Sequence, residues 1–526
     1  MTKRLLYSFL YILCLGNVAS LSCKKSINED NVPVMPGVVY PIPAASPVTG
    51  TVSGLVLDEN NTAVGSALVE CAGVITHTDV NGFFNIINAT LDKYITTVKV
   101  TRAGYFKAYR SFSANASRNY VNIKMIPKIL TAAIQSSSGG VITLPNTTEI
   151  SFRSNSMLIK SSGAAYSGTV NVYAHYIDPT GTDIASTVPG SFMGKDANNL
   201  YALQSAGMIA VDIESPSGEP LQLEANKPAT IKLTIPASLA ATAPATIATW
   251  SLDDEGVWKK EGIATKAGDQ YEMLVTHFSF WNCDTPMNAV YLSLHITDQH
   301  GSSIANTCIQ LKTVFNNWTQ ATYGITDSLG NVSGMVPSGV QLELNIMSSP
   351  YGCVSSPLYT QLIGPFTTNS SLVITGTFAG TQLVQILNIS GTANDCSGQP
   401  IQHGTALIYS GQYFIYTTIT NGTYAAFLTH CSPIVSVNAN FWNDSNTLSA
   451  ITGPFTVAGN AVTIPAASLC GIPMNIYDGV YQVTGSYSDI TNAAYTASYP
   501  KEYSLVTTGL NSVYVVDDSL NGGIPG

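Results

Sequence analysis

Apolar and polar residues alternate in many short runs along this chain. Residues 230–235 read Thr-Ile-Lys-Leu-Thr-Ile, so every second side chain is apolar, as expected of a strand that buries one face. Asn, Gly, Asp and Ser cluster between such runs, where they favour tight turns. The pattern predicts a succession of short strands and few helices.

Three stretches of the chain repeat one arrangement. In each, an Asp is followed three residues later by Asn or Gly and six residues later by a β-branched apolar residue. The Asp carboxylate can accept hydrogen bonds from turn amides, and Asn or Gly tolerates a positive φ, so each stretch is predicted to be a strand, a tight turn and a second strand. The residues are Asp58, Asn61 and Val64 in the first copy, Asp298, Gly301 and Ile304 in the second, and Asp395, Gly398 and Ile401 in the third.

The three copies share a second element further along. Residues 78–84, 326–332 and 421–424 each form a turn sequence that leads into an alternating strand, which indicates a hairpin. The last two copies also share Gly-Pro-Phe, at 364–366 and 453–455. These two copies begin about 100 residues apart, which is the length of one seven-stranded sandwich.

These residues carry a family resemblance. With its Gly-x-Val-x-Asp and Thr-Asp-x-x-Gly-x-Phe sequences, the first copy resembles the carboxypeptidase regulatory-like (transthyretin-like) domain, and the other two copies resemble it more loosely. The resemblance implies structural or binding modules of the kind found in surface proteins of the Bacteroidetes. This resemblance predicts the fold better than it predicts the function.

The predicted fold is all-β, a string of Ig-like or transthyretin-like β-sandwich domains after a signal peptide and a Pro-rich linker. The predicted segments are a signal peptide at 1–22, the linker at 23–48, a transthyretin-like domain at 49–128, a β-sandwich at 129–285, transthyretin-like repeats at 286–379 and 380–472, and a partial or truncated β segment at 473–526.

The N-terminus predicts export and a lipid anchor. Lys3 and Arg4 precede an apolar run at 5–15 and then small residues up to Cys23, the order of a secretory signal. Cys23 in this setting resembles the acylated Cys of the bacterial lipobox, although Ser20 departs from the usual Leu or Val. The resemblance implies a membrane partner and a place at the outer membrane or cell surface. An ordinary cleaved signal that leaves Cys23 as a thiol is the alternative.

Composition narrows the classes of function. Charged residues are only 10% of the 526 residues, and the formal net charge is −10. Long amphipathic helices and nucleic-acid binding both need more Lys and Arg than this chain offers. We therefore expect no nucleic-acid partner.

Seven cysteines follow Cys23, and export would allow disulfides. Cys396 with Cys431 is the first predicted pair, because the two flank the hairpin of the third copy, and Cys308 with Cys353 is a weaker second pair. Cys71, alone in its copy, is predicted to stay unpaired.

The sequence offers no recognisable catalytic or metal-binding pattern. None of the seven His belongs to an H-E-x-x-H or H-x-x-E sequence, and no G-x-S-x-G is present,. The acidic run at 253–255 precedes a Gly between two Trp and is interpreted as a charged hairpin turn. We expect a non-enzymatic protein without a cofactor or a metal site. A hydrolase centred on 129–285 is the less favoured alternative.

Aromatic clusters are the only positive binding signal. Trp318 with Tyr323, and Trp442 with Tyr413, lie beside Asn and Asp residues, and aromatic faces next to polar groups suit sugar rings. Tyr409 and Tyr416 belong to the second cluster. The simpler alternative is that these aromatic side chains belong to the core of the sandwiches.

The leading hypothesis is therefore a structural, adhesive or ligand-presenting surface lipoprotein that binds an extracellular glycan or surface protein. The alternative is a glycan-binding accessory lipoprotein of a nutrient-uptake system.

Overall fold

A computed structural model describes most of the chain between residues 40 and 517. It leaves out residues 79–80, 117, 182–183, 305–306, 316–317, 328, 348–356, 378–384, 412, 431–432, 445–447, 471–478, 488–496 and 510–511. The described part is built almost wholly of β-strands, with two short helices, α1 (Ile184–Thr187) and α2 (Ala237–Ala240). The predicted all-β fold of successive sandwiches is confirmed.

The first sandwich consists of two sheets, ordered β5-β2-β8 and β4-β3-β6-β7. Along β6 alternate side chains are buried, and Val52, Phe84 and Val98 meet between the sheets. A short strand, β1 (Tyr40–Pro41), precedes this sandwich. The other strands are β2 (Pro47–Leu57), β3 (Leu68–Cys71), β4 (Val74–His77), β5 (Phe83–Asp92), β6 (Thr96–Thr101), β7 (Ala108–Phe112) and β8 (Arg118–Lys124).

The central sandwich is a sheet ordered β10-β11-β17-β20-β19-β18-β21-β15-β13-β9, and a turn between Gln135 and Gly139 joins its two end strands. One core cluster of this sandwich includes Tyr271 and Trp281, and a second includes Trp250 and Trp258. The strand predicted at 230–235 is β17, which buries Ile231 and Leu233 as expected. The strands are β9 (Leu130–Gln135), β10 (Gly140–Thr143), β11 (Glu149–Phe152), β12 (Met157–Ile159), β13 (Thr169–Ile177), β14 (Met193–Lys195), β15 (Asn199–Glu214), β16 (Leu221–Leu223), β17 (Ala229–Thr234), β18 (Thr246–Leu252), β19 (Trp258–Ala267), β20 (Gln270–Val275) and β21 (Phe280–Asp298).

The third and fourth sandwiches follow, and a separate three-stranded sheet lies at the C-terminal side. The third sandwich uses the second half of β21 with β22 (Cys308–Phe315), β23 (Trp318–Ile325), β24 (Asn331–Pro337), β25 (Leu342–Met347), β26 (Tyr359–Ile363) and β27 (Ser370–Gly376). The fourth comprises β28 (Gln385–Asp395), β29 (His403–Ser410), β30 (Tyr413–Thr420), β31 (Thr423–His430), β32 (Ser436–Asn443), β33 (Ser449–Thr456) and β34 (Ala461–Leu469). The last sheet contains β35 (Gly479–Tyr487), β36 (Ala497–Gly509) and β37 (Ser512–Asp517).

The three repeated copies share one topology. The first strand of each copy (β2, β21 or β28) pairs antiparallel with a hairpin strand (β5, β24 or β31). The same first strand pairs in parallel with the last strand of its copy (β8, β27 or β34). The repeat found in the sequence is therefore a structural repeat.

The Asp turns form as predicted. Asp58, Asp298 and Asp395 each accept hydrogen bonds through Oδ1 from the backbone N–H groups two and four residues later, all at 2.8 Å. These bonds hold the pKa of Asp298 below its ordinary value, chiefly through the Ser302 amide. The predicted positive φ is present at Asn61 (62°), Gly301 (82°) and Gly398 (81°).

The central and third sandwiches share a strand. Residues 280–288 of β21 pair with β15, whereas residues 289–295 of the same strand pair with β24. The strand runs without a break across the boundary predicted at 285/286. No linker therefore separates these two sandwiches.

Candidate binding sites

Cys23, the predicted lipidation site, lies outside the described residues, so its lipidation stays a prediction. Over the residues that are described, no helix has both the length and the apolar character needed to cross a membrane. In the same part of the chain, no group of three or more His, Cys, Asp or Glu side chains is arranged to hold a metal ion.

The disulfide of the fourth sandwich joins Cys396 to Cys470, with Cα atoms 5.0 Å apart. The predicted pairing of Cys396 with Cys431 is wrong. Asp395 at the end of β28 lies opposite Leu469 at the end of β34 in the parallel register, so the residues that follow them are neighbours. Cys431 is outside the described residues. The sequence alone did not reveal that the first and last strands of this copy pair in parallel, and that pairing decides which Cys lies beside Cys396.

Cys308 carries a free, buried thiol, so its predicted disulfide with Cys353 is wrong. Cys308 lines a cavity, and burial raises the pKa of its thiol to about 12. Cys353 lies outside the described residues. Cys71 is free and buried, as predicted, and burial raises its pKa to about 12 as well.

The four aromatic candidates for sugar binding do not form one surface. Trp318 and Tyr323 lie on β23 of the third sandwich, and the side chain of Trp318 is outside the description. Tyr323 is 39% exposed, and its hydroxyl accepts a hydrogen bond from Gln310 Nε2 at 2.5 Å. Tyr413, in the fourth sandwich, is only 8% exposed and belongs to the core, as the simpler alternative predicted.

The aromatic side chains around Trp442 contact the first sandwich. Tyr409 and Tyr416 are buried in a cluster with Leu55 and Phe83, and Trp442 packs against this cluster. Phe83 and Tyr409 have ring centroids 5.1 Å apart. Much of the aromatic surface that the sequence suggested for a ligand is therefore an interface between the first and fourth sandwiches, which we call the aromatic interface.

The acidic run at 253–255 is a charged hairpin turn between β18 and β19, as predicted. Asp253 Oδ1 accepts hydrogen bonds from the backbone N–H groups of Glu255 and Val257, both at 3.0 Å. Lys195 pairs with Asp253 at 2.8 Å and with Glu255 at 2.5 Å. The carboxylates of Asp253 and Glu255 are thus engaged in holding the turn.

The same turn docks on the first sandwich. Thr97 donates a hydrogen bond from Oγ1 to the carbonyl oxygen of Glu255, and Ser111 donates one from Oγ to the carbonyl oxygen of Gly256, both at 2.6 Å. The backbone of β7 also contacts the central sandwich, because the Ser111 amide donates a hydrogen bond to the Gly190 carbonyl oxygen at 2.9 Å. Side-chain and main-chain hydrogen bonds therefore join the first and central sandwiches.

A cavity of about 440 Å³, partly open to solvent, lies where the first, central and third sandwiches meet. Its volume is within the range of about 300–1,000 Å³ that is usual for small-molecule sites. The first sandwich contributes β7 and β8, the third contributes β23 and β24, and the central sandwich contributes Met193, Leu203 and Met287. We call it the junction cavity.

Sequence reasoning did not identify the junction cavity, because its walls come from strands that are far apart in sequence, β7 and β8 on one side and β23 and β24 on the other. Arg110 was not singled out either. Arg110 lies on β7, on the same face of the strand as Ala108 and Phe112. Both of these residues pack on the core of the first sandwich. A charged residue among inward-facing positions of a strand is the signal that could have revealed it.

No protein-family profile and no curated protein matches this sequence. Among solved structures, a streptococcal ancillary pilin is 11% identical with a TM-score of 0.14, over 45% of this chain and 96% of the pilin. The Bacillus anthracis TIE protein is 11% identical with a TM-score of 0.15, over 81% of this chain and 70% of that protein. The shaft pilin SpaA from Lactobacillus rhamnosus GG is 8% identical with a TM-score of 0.17, over 34% of this chain and 97% of that pilin. We draw no functional conclusion from similarities this distant.

Proposed function

We propose that this chain is a non-enzymatic structural or adhesive module of the cell surface, tethered to the outer membrane through a lipid on Cys23. The observation that carries the proposal is the continuity of β21, which belongs to the sheets of two successive sandwiches. A surface module that resists force or presents a binding surface at a fixed position benefits from rigid joints between its domains.

Contacts between the other sandwiches support the same proposal. Tyr94 of the first sandwich packs edge-on against Tyr291 of the third, with ring centroids 5.4 Å apart. Gln320 of the third sandwich donates a hydrogen bond from Nε2 to the Leu203 carbonyl of the central one at 2.9 Å. These contacts join the first sandwich to the third and the third to the central one, which favours a rigid array over a flexible string.

The tether and the surface location can be tested in one experiment. The full-length gene and a Cys23→Ser variant are expressed in a Gram-negative host, and the N-terminal peptide of the mature protein is analysed by mass spectrometry. Wild type should carry a diacylglyceryl group on Cys23, fractionate with the outer membrane and be removed by protease from intact cells. The variant should lose the lipid and the membrane association. An unmodified, soluble wild-type protein would refute the tether.

The adhesive role is tested separately. Purified protein is coated on a surface and offered to host cells, matrix proteins and a glycan array. Binding to a protein or cell surface supports adhesion. Sugar binding that Trp442→Ala removes would instead favour the accessory role in nutrient uptake, with Tyr323→Ala as the corresponding variant in the third sandwich. Hydrolysis of an offered substrate by the wild-type protein would overturn the non-enzymatic assignment.

A further inference from the structure

The junction cavity lies between edge strands of two sandwiches. In the first sandwich, β7 and β8 are edge strands of their sheets, and in the third sandwich β23 and β24 are edge strands as well. All four strands line the cavity. The facing edges leave a space that no described side chain fills.

Towards the third sandwich, the cavity is lined by apolar side chains. The cavity reaches between the two sheets and touches residues of the core itself, namely Leu292, Leu294, Ile309, Val336 and Leu342. An apolar chain placed there would gain roughly 0.8 kcal/mol for each methylene removed from water. This end of the cavity suits a hydrocarbon group.

Towards the first sandwich, the cavity is lined by two basic residues, Arg110 on β7 and Lys124 on β8. Within the described part of the chain, the Arg110 guanidinium takes part in no hydrogen bond and no ion pair. Burial lowers its pKa to about 10, so the group remains charged at neutral pH. Arg110 is only partly shielded from solvent, and a cation that has no partner among the described residues can hold an anion in a charge-assisted pair.

The surroundings of Arg110 add no competing negative charge. Among the described residues that line the cavity, none is Asp or Glu. This is notable in a chain with a formal net charge of −10. Two further polar atoms of lining residues, Gln320 Oε1 and Ser191 Oγ, are buried and have no hydrogen-bond partner among the described atoms. The site is therefore polar and cationic at one end and apolar at the other.

We propose that the junction cavity binds a small anionic amphiphile of the fatty-acid class, with its carboxylate on Arg110 and its hydrocarbon chain between the sheets of the third sandwich. The guanidinium fork matches a carboxylate in a bidentate arrangement. The volume of about 440 Å³ suits such a molecule better than a peptide strand with its side chains. This inference does not depend on the adhesive role or on the lipid tether.

Calorimetric titration of the full mature chain with dodecanoate, and with dodecanol as the uncharged analogue, tests the head group. We expect dodecanoate to bind with one-to-one stoichiometry and dodecanol to bind at least about tenfold more weakly, since a charge-assisted hydrogen bond is lost. Arg110→Gln should reduce the affinity for dodecanoate to that of dodecanol. Arg153→Gln is the matched control, because Arg153 is exposed and lies outside the cavity.

A second variant tests the position of the hydrocarbon chain. Gly334 on β24 lines the cavity, and the nearest atom to a Cβ built there is Ser113 Oγ at 4.0 Å. Gly334→Leu should therefore fill the cavity without a clash, and it should abolish binding of both ligands while the melting temperature stays at the wild-type value. The proposal fails if dodecanoate does not bind, if both ligands bind equally well, if Arg110→Gln binds like Arg153→Gln, or if Gly334→Leu binds like wild type.

Discussion

Asn81 donates a hydrogen bond from Nδ2 to the phenol oxygen of Tyr409 at 2.8 Å, and this bond joins residues 328 positions apart in the sequence. Beside it, Phe83 lies against both Tyr409 and Phe414, with centroid distances of 5.1 and 5.5 Å. The aromatic interface thus brings the fourth sandwich back onto the first. The four sandwiches form a closed arrangement in which the first sandwich contacts each of the others.

Phe83→Ala should release the fourth sandwich from the first. Phe83 is 3% exposed, and truncating a buried Phe costs about 3–5 kcal/mol, a loss that we expect to open the interface. We expect a larger radius of gyration in small-angle X-ray scattering.

Tyr409→Phe is the matched control for that variant, because it keeps the ring and removes only the hydroxyl that Asn81 contacts. It should cost about 1 kcal/mol and leave the radius of gyration unchanged. Identical scattering from wild type and Phe83→Ala would contradict the aromatic interface.

Gly256→Ala should weaken the joint between the first and central sandwiches. Gly256 has a φ of +77°, and a Cβ there would lie 2.5 Å from Thr97 Cγ2. Gly268 has a similar φ of +67° but open space around it, so Gly268→Ala measures the backbone strain alone, about 1–2 kcal/mol. Gly256→Ala should lose about 1–3 kcal/mol more in chemical denaturation. Equal losses in the two variants would show that the clash is relieved without cost.

Asp284→Asn should change how stability depends on pH. Asp284 is completely buried, and burial raises the pKa of its carboxyl well above the ordinary value. At pH values above the ordinary pKa of Asp, the native state therefore keeps a proton that the unfolded state has released. The free energy of unfolding of wild type falls as pH rises through this range. Asn cannot ionise and avoids this loss. The variant should melt higher than wild type at pH of about 8, with a difference that shrinks towards pH of about 4.

Asp298→Asn should have the opposite effect on how stability depends on pH. The turn amides lower the pKa of Asp298, so its ionised form stabilises the native state above the ordinary pKa, and this contribution disappears as pH falls. The variant should be less stable than wild type at neutral pH, and the two should converge in acid. Melting curves measured across the pH range check both variants, and parallel profiles for all three proteins would rule out this account.

Removing the disulfide should destabilise the fourth sandwich. Cys396 and Cys470 are separated by 74 positions, and a cross-link over a loop of this size contributes about 2–4 kcal/mol, mainly by restricting the unfolded chain. Cys396→Ser and Cys470→Ser should lower stability equally, and the double variant should lose no more. Reductant should bring wild type to the same level and leave the variants unchanged. Non-reducing peptide mapping that links Cys396 to Cys431 would refute the pairing.

Local features were predictable from the sequence because they depend on local chemistry. The Asp turns require only a carboxylate, a few backbone amides and a residue that accepts positive φ, so Asp58, Asp298 and Asp395 could be identified directly. The strand at 230–235 follows from alternation alone. The charged hairpin at 253–255 was predictable for the same reason.

Features that depend on distant partners were not predictable in this way. The pairing of Cys396 depends on the parallel alignment of β28 with β34, which no local pattern encodes. Tyr409 and Tyr416 have the composition of a sugar platform, but Phe83 of another sandwich covers them. The junction cavity is formed by three sandwiches, and the chemistry around Arg110 exists only after they assemble.

The shared strand β21 also restricts how this protein can change. Side chains along a strand alternate between its two faces, so an insertion of one residue near Ala289 would turn every following inward side chain of the strand outward. Leu292, Leu294 and Ile296 would leave the core of the third sandwich together. An insertion of two residues would keep the alternation, so the shared strand restricts which changes of length this junction accepts.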